Sequence, residues 1–337
     1  MAQVGVLLIN LGTPASPSTG DVRRYLREFL DDDRVIDIPY LLRKILVHGI
    51  IAPFRAPKSA KLYKEVWTDK GSPIMLHSLD LQVKVQEALG NDYEVELAMR
   101  YEQPSIKNVL ARMQKKHYNK IIIVPLYPHY ASSSTGTAFE EVMKHMSKWW
   151  VIPDVKFIGQ YFDNPQYIDA IVENGSKFNI ADYDHVMFSY HGLPKRHVNK
   201  VYEDRECDNH NCEDEINHEN EYCYKAACYA TTRAIVAKMN IPKDKYTVSF
   251  QSRLDEKWIT PFSDNVLEEF AKKGMKRILA FSPAFTADCL ETLIEIGVEY
   301  QEIFIHNGGE KIQLVPSLNS NATWVNCLRD MVIKNNV

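Results

Sequence analysis

Val4-Gly5-Val6-Leu7-Leu8-Ile9-Asn10-Leu11-Gly12-Thr13-Pro14 is an apolar run that breaks off in a Gly-Thr-Pro turn. A second run of the same form, His185-Val186-Met187-Phe188-Ser189-Tyr190-His191-Gly192-Leu193-Pro194, lies in the other half of the chain. Short apolar runs bounded by Gly and Pro read as buried strands entering tight turns. The likeness extends outward. Residues 121–130 pass through Ser132-Ser133-Ser134-Thr135-Gly136 into a helical stretch, and residues 278–285 pass through Thr286-Ala287-Asp288 into another. Two alike halves of strand–loop–helix units predict an α/β protein of two similar doubly wound domains, with parallel sheets facing a central cleft. The domains divide at 1–160 and 161–337, with a C-terminal helix able to pack back on the first. Ligands of such sheets bind beyond the carboxyl ends of the strands, so chemistry is sought in the four loops just named.

Strands are expected at residues 4–11, 93–99, 120–126, 155–160, 185–190, 246–251, 277–281 and 303–306. Continuous apolar stretches such as Ile121-Ile122-Ile123-Val124 suit a parallel sheet covered on both faces. Helices fall between them. Ser78 is read as the start of one that Gly90 closes, and Pro104 as part of the first turn of the next, running to about Lys116. Others are expected at 137–149, 166–177, 226–239 and 262–273.

A chain of 337 residues, 45% apolar and 25% charged, has ample material for a large core and no long disordered stretch. A formal net charge of −4 argues against a nucleic-acid binder. The N-terminal apolar run has no basic residue before it, so it reads as a first strand and not as a signal peptide. Residues 38–54 are the most lipid-like segment, interrupted by Arg43, Lys44 and His48. They read as a core helix and a loop, or as an apolar lip that touches a membrane surface. Six cysteines without a secretory signal point to a reducing, cytoplasmic setting, where clustered thiols hold metal or do redox chemistry. The chain has no G-x-G-x-x-G after a strand, no P-loop and no G-x-S-x-G, which removes support for dinucleotide binding, P-loop phosphoryl transfer and the common hydrolase elbow.

Three constellations could carry chemistry. His191 stands at a strand's carboxyl end in a tight turn, where a neutral imidazole can accept a proton or bind metal. Glu291, Glu295 and Glu299 recur every four residues on one helical face, with Asp288 a turn earlier. That row is either a solvated acidic surface or, lacking partners beside a cleft, a path for a hard cation or for protons. Cys207-x4-Cys212-x10-Cys223-x4-Cys228 sits in a segment rich in Glu, Asp and Asn. Four thiols so close suit a zinc or iron–sulfur site, although the spacing is not the usual C-x2-C.

At these residues the sequence resembles the ferrochelatase family over nearly its whole length. The resemblance rests on Leu8-Ile9-Asn10-Leu11-Gly12-Thr13-Pro14, Gly71-Ser72-Pro73-Ile74, Met99-Arg100-Tyr101, Pro125-Leu126-Tyr127-Pro128-His129-Tyr130, Ser189-Tyr190-His191-Gly192-Leu193-Pro194, Phe250-Gln251-Ser252 and Phe285-Thr286-Ala287-Asp288-Cys289-Leu290-Glu291-Thr292-Leu293. It implies two Rossmann-like domains of the class II chelatase type. The activity implied is that of a lyase inserting Fe²⁺ into protoporphyrin IX, with loss of two protons, as the last step of haem biosynthesis. His191 matches the family's active-site histidine and Glu291 its facing carboxylate, with Glu295 and Glu299 in the acidic ladder beyond. His191, Glu291 and Glu295 are the implied iron contacts. Arg100, Tyr101, Tyr127 and Trp258 fall in segments that line the porphyrin site, and residues 38–54 resemble an apolar lip. Leu11 stands where relatives using coproporphyrin tend to have Tyr, which favours protoporphyrin.

The chain departs from the family in three ways. Cys289 replaces a frequent His, Phe250 replaces a more familiar Trp, and the cysteine-bearing stretch at 205–228 looks inserted. Some members carry a [2Fe–2S] cluster, for which Cys207, Cys212, Cys223 and Cys228 are the natural ligands, with structural Zn²⁺ as alternative. The competing readings are a coproporphyrin ferrochelatase, a chelatase for sirohydrochlorin-like rings, or a non-catalytic haem or metal carrier of the same fold. The first two predict other porphyrin preferences, and the third predicts binding without turnover. Peripheral membrane contact is a further expectation, and oligomeric state is not legible.

Overall fold

The computed structural model describes residues 2–204 and 206–336, with Asn209 described by its backbone alone. Arg205, the first residue of the expected insertion, lies outside the described residues, as do the two terminal residues of the expected domains. Eight strands form two four-stranded sheets, and every pairing is parallel. The first holds β1 (Val4–Gly12), β2 (Tyr93–Tyr101), β3 (Lys120–Pro125) and β4 (Asp154–Phe157) in the order β2-β1-β3-β4. The second holds β5 (His185–His191), β6 (Tyr246–Gln251), β7 (Arg277–Phe281) and β8 (Lys311–Leu314) in the order β6-β5-β7-β8. The internal repeat of the sequence is therefore a repeat of topology. Within each unit the connections diverge at the inner pair, β1/β3 and β5/β7, where such sheets place their ligands.

The chain falls into two compact units. One runs to Gln160 and takes in the chain from Val325 onward; the other is Tyr161–Trp324. The C-terminal segment is tied into the first unit by hydrogen bonds from Lys120 Nζ to the Asn336 carbonyl (2.8 Å) and from Asn336 Nδ2 to the Tyr93 hydroxyl (3.1 Å).

Burial explains the strand compositions. Every residue of β1 is buried except Leu11, which is half-buried, because helices cover both faces of the sheet. Leu7, Ile9, Ile121 and Ile123 pack on Val109 and Met113 of the helix Ile106–Gln114 and on Ala138 and Val142 of the helix Thr137–Met146. In the second unit Ile278 and Ala280 pack with Leu267, Phe270, Ile296 and Phe304. Each fully buried aliphatic of this kind contributes about 1.5–3 kcal/mol.

Seven of the eight expected strands are present, two with the expected bounds and five with an end moved by one to three residues. The eighth is not at 303–306, which lies in the helix Gln301–His306. There Phe304 is buried, and the helix closes through Gly308, at φ +103°, with Gly309 N–H bonded to the Phe304 carbonyl (2.8 Å). A four-residue apolar run does not by itself distinguish strand from helix; the two glycines after it were the stop signal. Ser78 does not start a helix either. The helix is Pro73–Leu89, with proline in its first turn, and Ser78 lies inside it, buried and hydrogen-bonded by Asn10 Nδ2 (3.0 Å). Pro104 precedes its helix, where Ser105 is the cap and accepts from Asn108 N (3.3 Å).

Residues 38–54 are not a core helix and a loop. Tyr40–Lys44, the π-helical Ile45–Ile51 and Ala52–Val66 follow one another without a break. Tyr40, Leu41, Leu42, Ile45, Ile50 and Phe54 are all more than half exposed. Two further π-helical segments, Ser132–Gly136 and Glu291–Tyr300, follow the third strand of each sheet. Such segments are rare in α-helical surroundings and often mark functional sites. Among the described residues no helix is long and apolar enough to cross a membrane.

Candidate active site

The second unit gathers its chemistry at the carboxyl ends of β5, β6 and β7. β5 ends on His191, and the chain turns at once through Gly192. A side chain at Gly192 would bring Cβ to 2.8 Å from the Gln251 carbonyl and 3.2 Å from Trp258 Cε3, so the turn needs glycine. Residues 193–195 then pair with 257–259, through Ile259 N to Leu193 O and Lys195 N to Lys257 O (both 2.9 Å). This holds Trp258 beside the histidine. The His191 ring, half-buried, lies 6.3 Å from the ring centroids of both Trp258 and Phe285.

The tautomer of His191 follows from its partner. Nδ1 lies 2.6 Å from the Gly192 carbonyl, and a carbonyl can only accept, so Nδ1 carries the hydrogen. In the neutral ring Nε2 is then the nitrogen with the lone pair, and among the described residues it has no hydrogen-bond partner. The ring is oriented by its own turn and offers one basic nitrogen.

Gln251 joins this strand end to the acidic helix. It is the register partner of His191 on β6 and is buried. Its amide oxygen accepts from Ser189 Oγ (2.8 Å), which fixes the amide orientation. Its amide nitrogen donates to the Glu291 carbonyl (3.0 Å) and to Glu295 Oε2 (2.9 Å). Glu295 also accepts from Ser252 N–H (2.7 Å), from the Ser252 hydroxyl and from the Tyr300 hydroxyl (3.1 Å). Ser252 adopts φ +61°, a left-handed conformation that costs a non-glycine residue about 1–3 kcal/mol. Its two bonds to Glu295 offset that cost.

The acidic row is therefore not without partners, as the sequence suggested. Asp288 is buried and accepts from Ser317 N (3.1 Å), Asn319 Nδ2 (2.8 Å) and Thr292 Oγ1 (3.3 Å), which pins the start of the π-helical segment. Glu295 is a hub for four donors, and Glu299 is exposed. Glu291 opens the segment half-buried, with Cys289 against its carboxylate. Burial first, and that carboxylate second, hold the Cys289 thiol well above its ordinary range, so it stays protonated.

The first unit uses the same strand ends differently. Leu11, at the end of β1, is half-buried. Arg100 and Tyr101 end β2, but both are committed. Arg100 pairs with Asp32 (2.6 Å) and donates to Thr137 Oγ1 (2.7 Å), while the Tyr101 hydroxyl donates to the same Asp32 oxygen (2.9 Å). Thr137 donates to that oxygen as well. Tyr101 is fully buried, edge-on to Phe29. Tyr127, after β3, packs on the core, and its shielded hydroxyl has no hydrogen-bond partner among the described residues.

In the cysteine-bearing insertion, Cys207, Cys212 and Cys223 bring their sulfurs within 4.8 Å of one another, all buried. The three thiols share hydrogen bonds, which pull Cys223 below its ordinary range and hold Cys207 and Cys212 above theirs. Three convergent, shielded thiols fit a thiophilic metal group. Cys228 does not join them as the spacing suggested. It follows Cys223 by five residues, buried within the helix Tyr224–Met239 and hydrogen-bonded to Tyr224.

Residues 3–336 match the family model described as Ferrochelatase. The chain belongs to the ferrochelatase family. Curated relatives named Ferrochelatase include one from Coxiella burnetii (strain Dugway 5J108-111), 44% identical over 98% of this chain and 94% of its own length. Another, from Legionella pneumophila (strain Philadelphia 1), is 42% identical over 97% of this chain and 98% of its own. Among solved structures, SirB from Bacillus subtilis with Fe³⁺ superposes with a TM-score of 0.58 at 10% identity, covering 98% of this chain and 95% of that one. The sirohydrochlorin chelatase SirB from Bacillus subtilis subspecies spizizenii in complex with cobalt gives 0.54, also at 10% identity, covering 98% and 94%. These likenesses establish the shared chelatase fold. Sequence reasoning missed Asp32, which organises the strand ends of the first unit, and Gln251, Ser252 and Tyr300, which organise those of the second. Gln251 and Ser252 stood in a quoted motif without a role, and Asp32 was hidden in the run Asp31-Asp32-Asp33.

Proposed function

We propose that this ferrochelatase-family chain inserts Fe²⁺ into protoporphyrin IX, releasing two protons to give protohaem. The single observation that carries the roles is the commitment of His191 Nδ1 to the Gly192 carbonyl, which leaves Nε2 as a proton acceptor. A free porphyrin holds two pyrrole N–H protons, and each must leave as iron bonds to the ring nitrogens. In this reading His191 Nε2 takes them in turn, and Glu291 steadies the incoming iron or passes protons outward. Glu295 accepts four hydrogen bonds, so its part is to hold the Glu291 segment against β6 and not to bind iron directly. Trp258, half-buried in the loop beside His191, and Leu11, half-buried at the end of β1, are the substrate contacts we favour. Arg100 and Tyr101, both held on Asp32, fix the end of β2 in the first unit.

The thiol group is read as a metal centre held by Cys207, Cys212 and Cys223, with Cys228 the remaining thiol of the insertion. The family resemblance favours [2Fe–2S] over zinc. When bound, such a cluster supplies one-electron redox chemistry. The exposed apolar run 40–54 supports peripheral attachment of a cytoplasmic protein to a membrane surface.

Anaerobic Fe²⁺ insertion by the purified protein into protoporphyrin IX and coproporphyrin III tests the assignment. Turnover with a higher kcat/KM on protoporphyrin is expected. No insertion into either porphyrin by folded protein would overturn the enzyme reading, and a tenfold preference for coproporphyrin would overturn the substrate.

A further inference from the structure

Tyr202 is buried between the helix that leaves the His191 turn and the first ligand cysteine. Asn199, the last residue of the helix Lys195–Asn199, organises both neighbours. Its carbonyl accepts from Tyr202 N (3.2 Å) and its side-chain oxygen from Cys207 N (3.0 Å). The Tyr202 hydroxyl lies 3.0 Å from Cys212 Sγ, with Cys212 and Cys223 sulfurs 3.9 Å apart. The outer face of the Tyr202 ring is covered by His210, stacked at 3.8 Å between centroids and 17° between planes. His210 is itself held by Asp204 (3.1 Å) and Glu219 (3.5 Å). A tyrosine used only as packing has no need to direct its one polar atom at a sulfur. Here the ring is clamped on one side and the hydroxyl aimed at the metal-binding group.

We propose that Tyr202 is a positioning residue for the metal–thiolate centre, donating a hydrogen bond to the ligand sulfur of Cys212 and raising the reduction potential of the cluster. The inference rests on the iron–sulfur reading above. Once Cys212 is a metal-bound thiolate it can only accept, so the phenol must be the donor. Reduction adds an electron to the cluster and places more negative charge on its sulfurs. A hydrogen bond to a ligand sulfur stabilises that reduced state more than the oxidised one, and such bonds are among the determinants of cluster potential. His210 contributes by stacking, which fixes the ring plane and so the aim of the hydroxyl.

The test uses anaerobically purified and reconstituted full-length protein, with iron and acid-labile sulfide measured alongside the midpoint potential and the sulfur-to-iron charge-transfer spectrum. The Tyr202→Phe variant is expected to hold wild-type iron and sulfide but to show a lower midpoint potential and a shifted charge-transfer band. Unchanged potential and spectrum in a fully loaded variant would overturn the inference while leaving the cluster intact. Wild-type protein with neither iron nor labile sulfide in the insertion would overturn the cluster reading and the inference with it. Should Tyr202→Phe fail to retain iron, His210→Ala decides, because it leaves the hydroxyl but removes the clamp. A potential below wild type supports the proposal, and a wild-type potential contradicts it.

Discussion

The end of β1 reads Asn10-Leu11-Gly12-Thr13-Pro14 and the end of β5 reads Tyr190-His191-Gly192-Leu193-Pro194. Both turns need their glycine for the same reason. A Cβ at Gly12 would lie 2.0 Å from the Tyr101 carbonyl on β2, and one at Gly192 would lie 2.8 Å from the Gln251 carbonyl on β6. In both units the third strand runs on to a π-helical segment. The backbone solution is shared; the side chains divide the labour. In the first unit Arg100, Tyr101 and Thr137 all converge on Asp32, and Leu11 replaces the histidine. In the second, Gln251 ties the acidic segment to the strand end while His191 keeps Nε2 unpaired. The difference shows how one scaffold can carry a closed polar network at the strand ends of one copy and an unpaired imidazole nitrogen at those of the other.

That contrast can be broken by substitutions matched across the two units. Gln251→Leu keeps the size but removes the amide that links β6 to Glu291 and Glu295, leaving Ser189 and Glu295 each short of a partner. We expect kcat for iron insertion to fall about a hundredfold, comparable to losing a positioned acid–base element, with porphyrin binding by fluorescence quenching changed only a few-fold. Asp32→Ala leaves Arg100 partly buried without its counter-ion, its side chain being 15% exposed. Breaking a buried pair in this way costs about 3–5 kcal/mol, to be read as a lower midpoint in urea unfolding, while kcat per folded molecule stays within threefold. The reverse pattern, with activity lost and stability kept, would mean that the Arg100 network takes part in chemistry. Leu11→Tyr is the mildest change. It should raise KM for protoporphyrin IX by about 1–2 kcal/mol of lost contact and narrow the preference over coproporphyrin III, with kcat nearly unchanged.

Much of the division between units was legible because strand periodicity and turn chemistry are local. Apolar-rich runs marked seven strands, and the repeat of Leu11-Gly12 and His191-Gly192 marked the strand ends where a site is sought. What the sequence could not carry was partnership. Glu295 and Asp288 read as members of an open acidic row, yet each is consumed by donors from residues 251 to 319, brought close only by the fold. Residues 38–54 read from composition either as a core helix and a loop or as an apolar lip; what covers a helix decides between them, and composition does not say. Cys228 had the spacing of a fourth ligand; its place in a helix beside Tyr224 was a tertiary fact.

The most direct measurement compares His191→Ala with Leu11→Ala in one anaerobic Fe²⁺-insertion assay on protoporphyrin IX, with thermal unfolding run in parallel. The two residues occupy the same position in the two turns, so a purely structural role would make the losses alike. We predict a fall in kcat of about a thousandfold for His191→Ala, within the range for a general base, and less than tenfold for Leu11→Ala, with both proteins folded. Near-wild-type kcat in His191→Ala, or equal losses in the two variants, would contradict the assignment of proton transfer to the second unit.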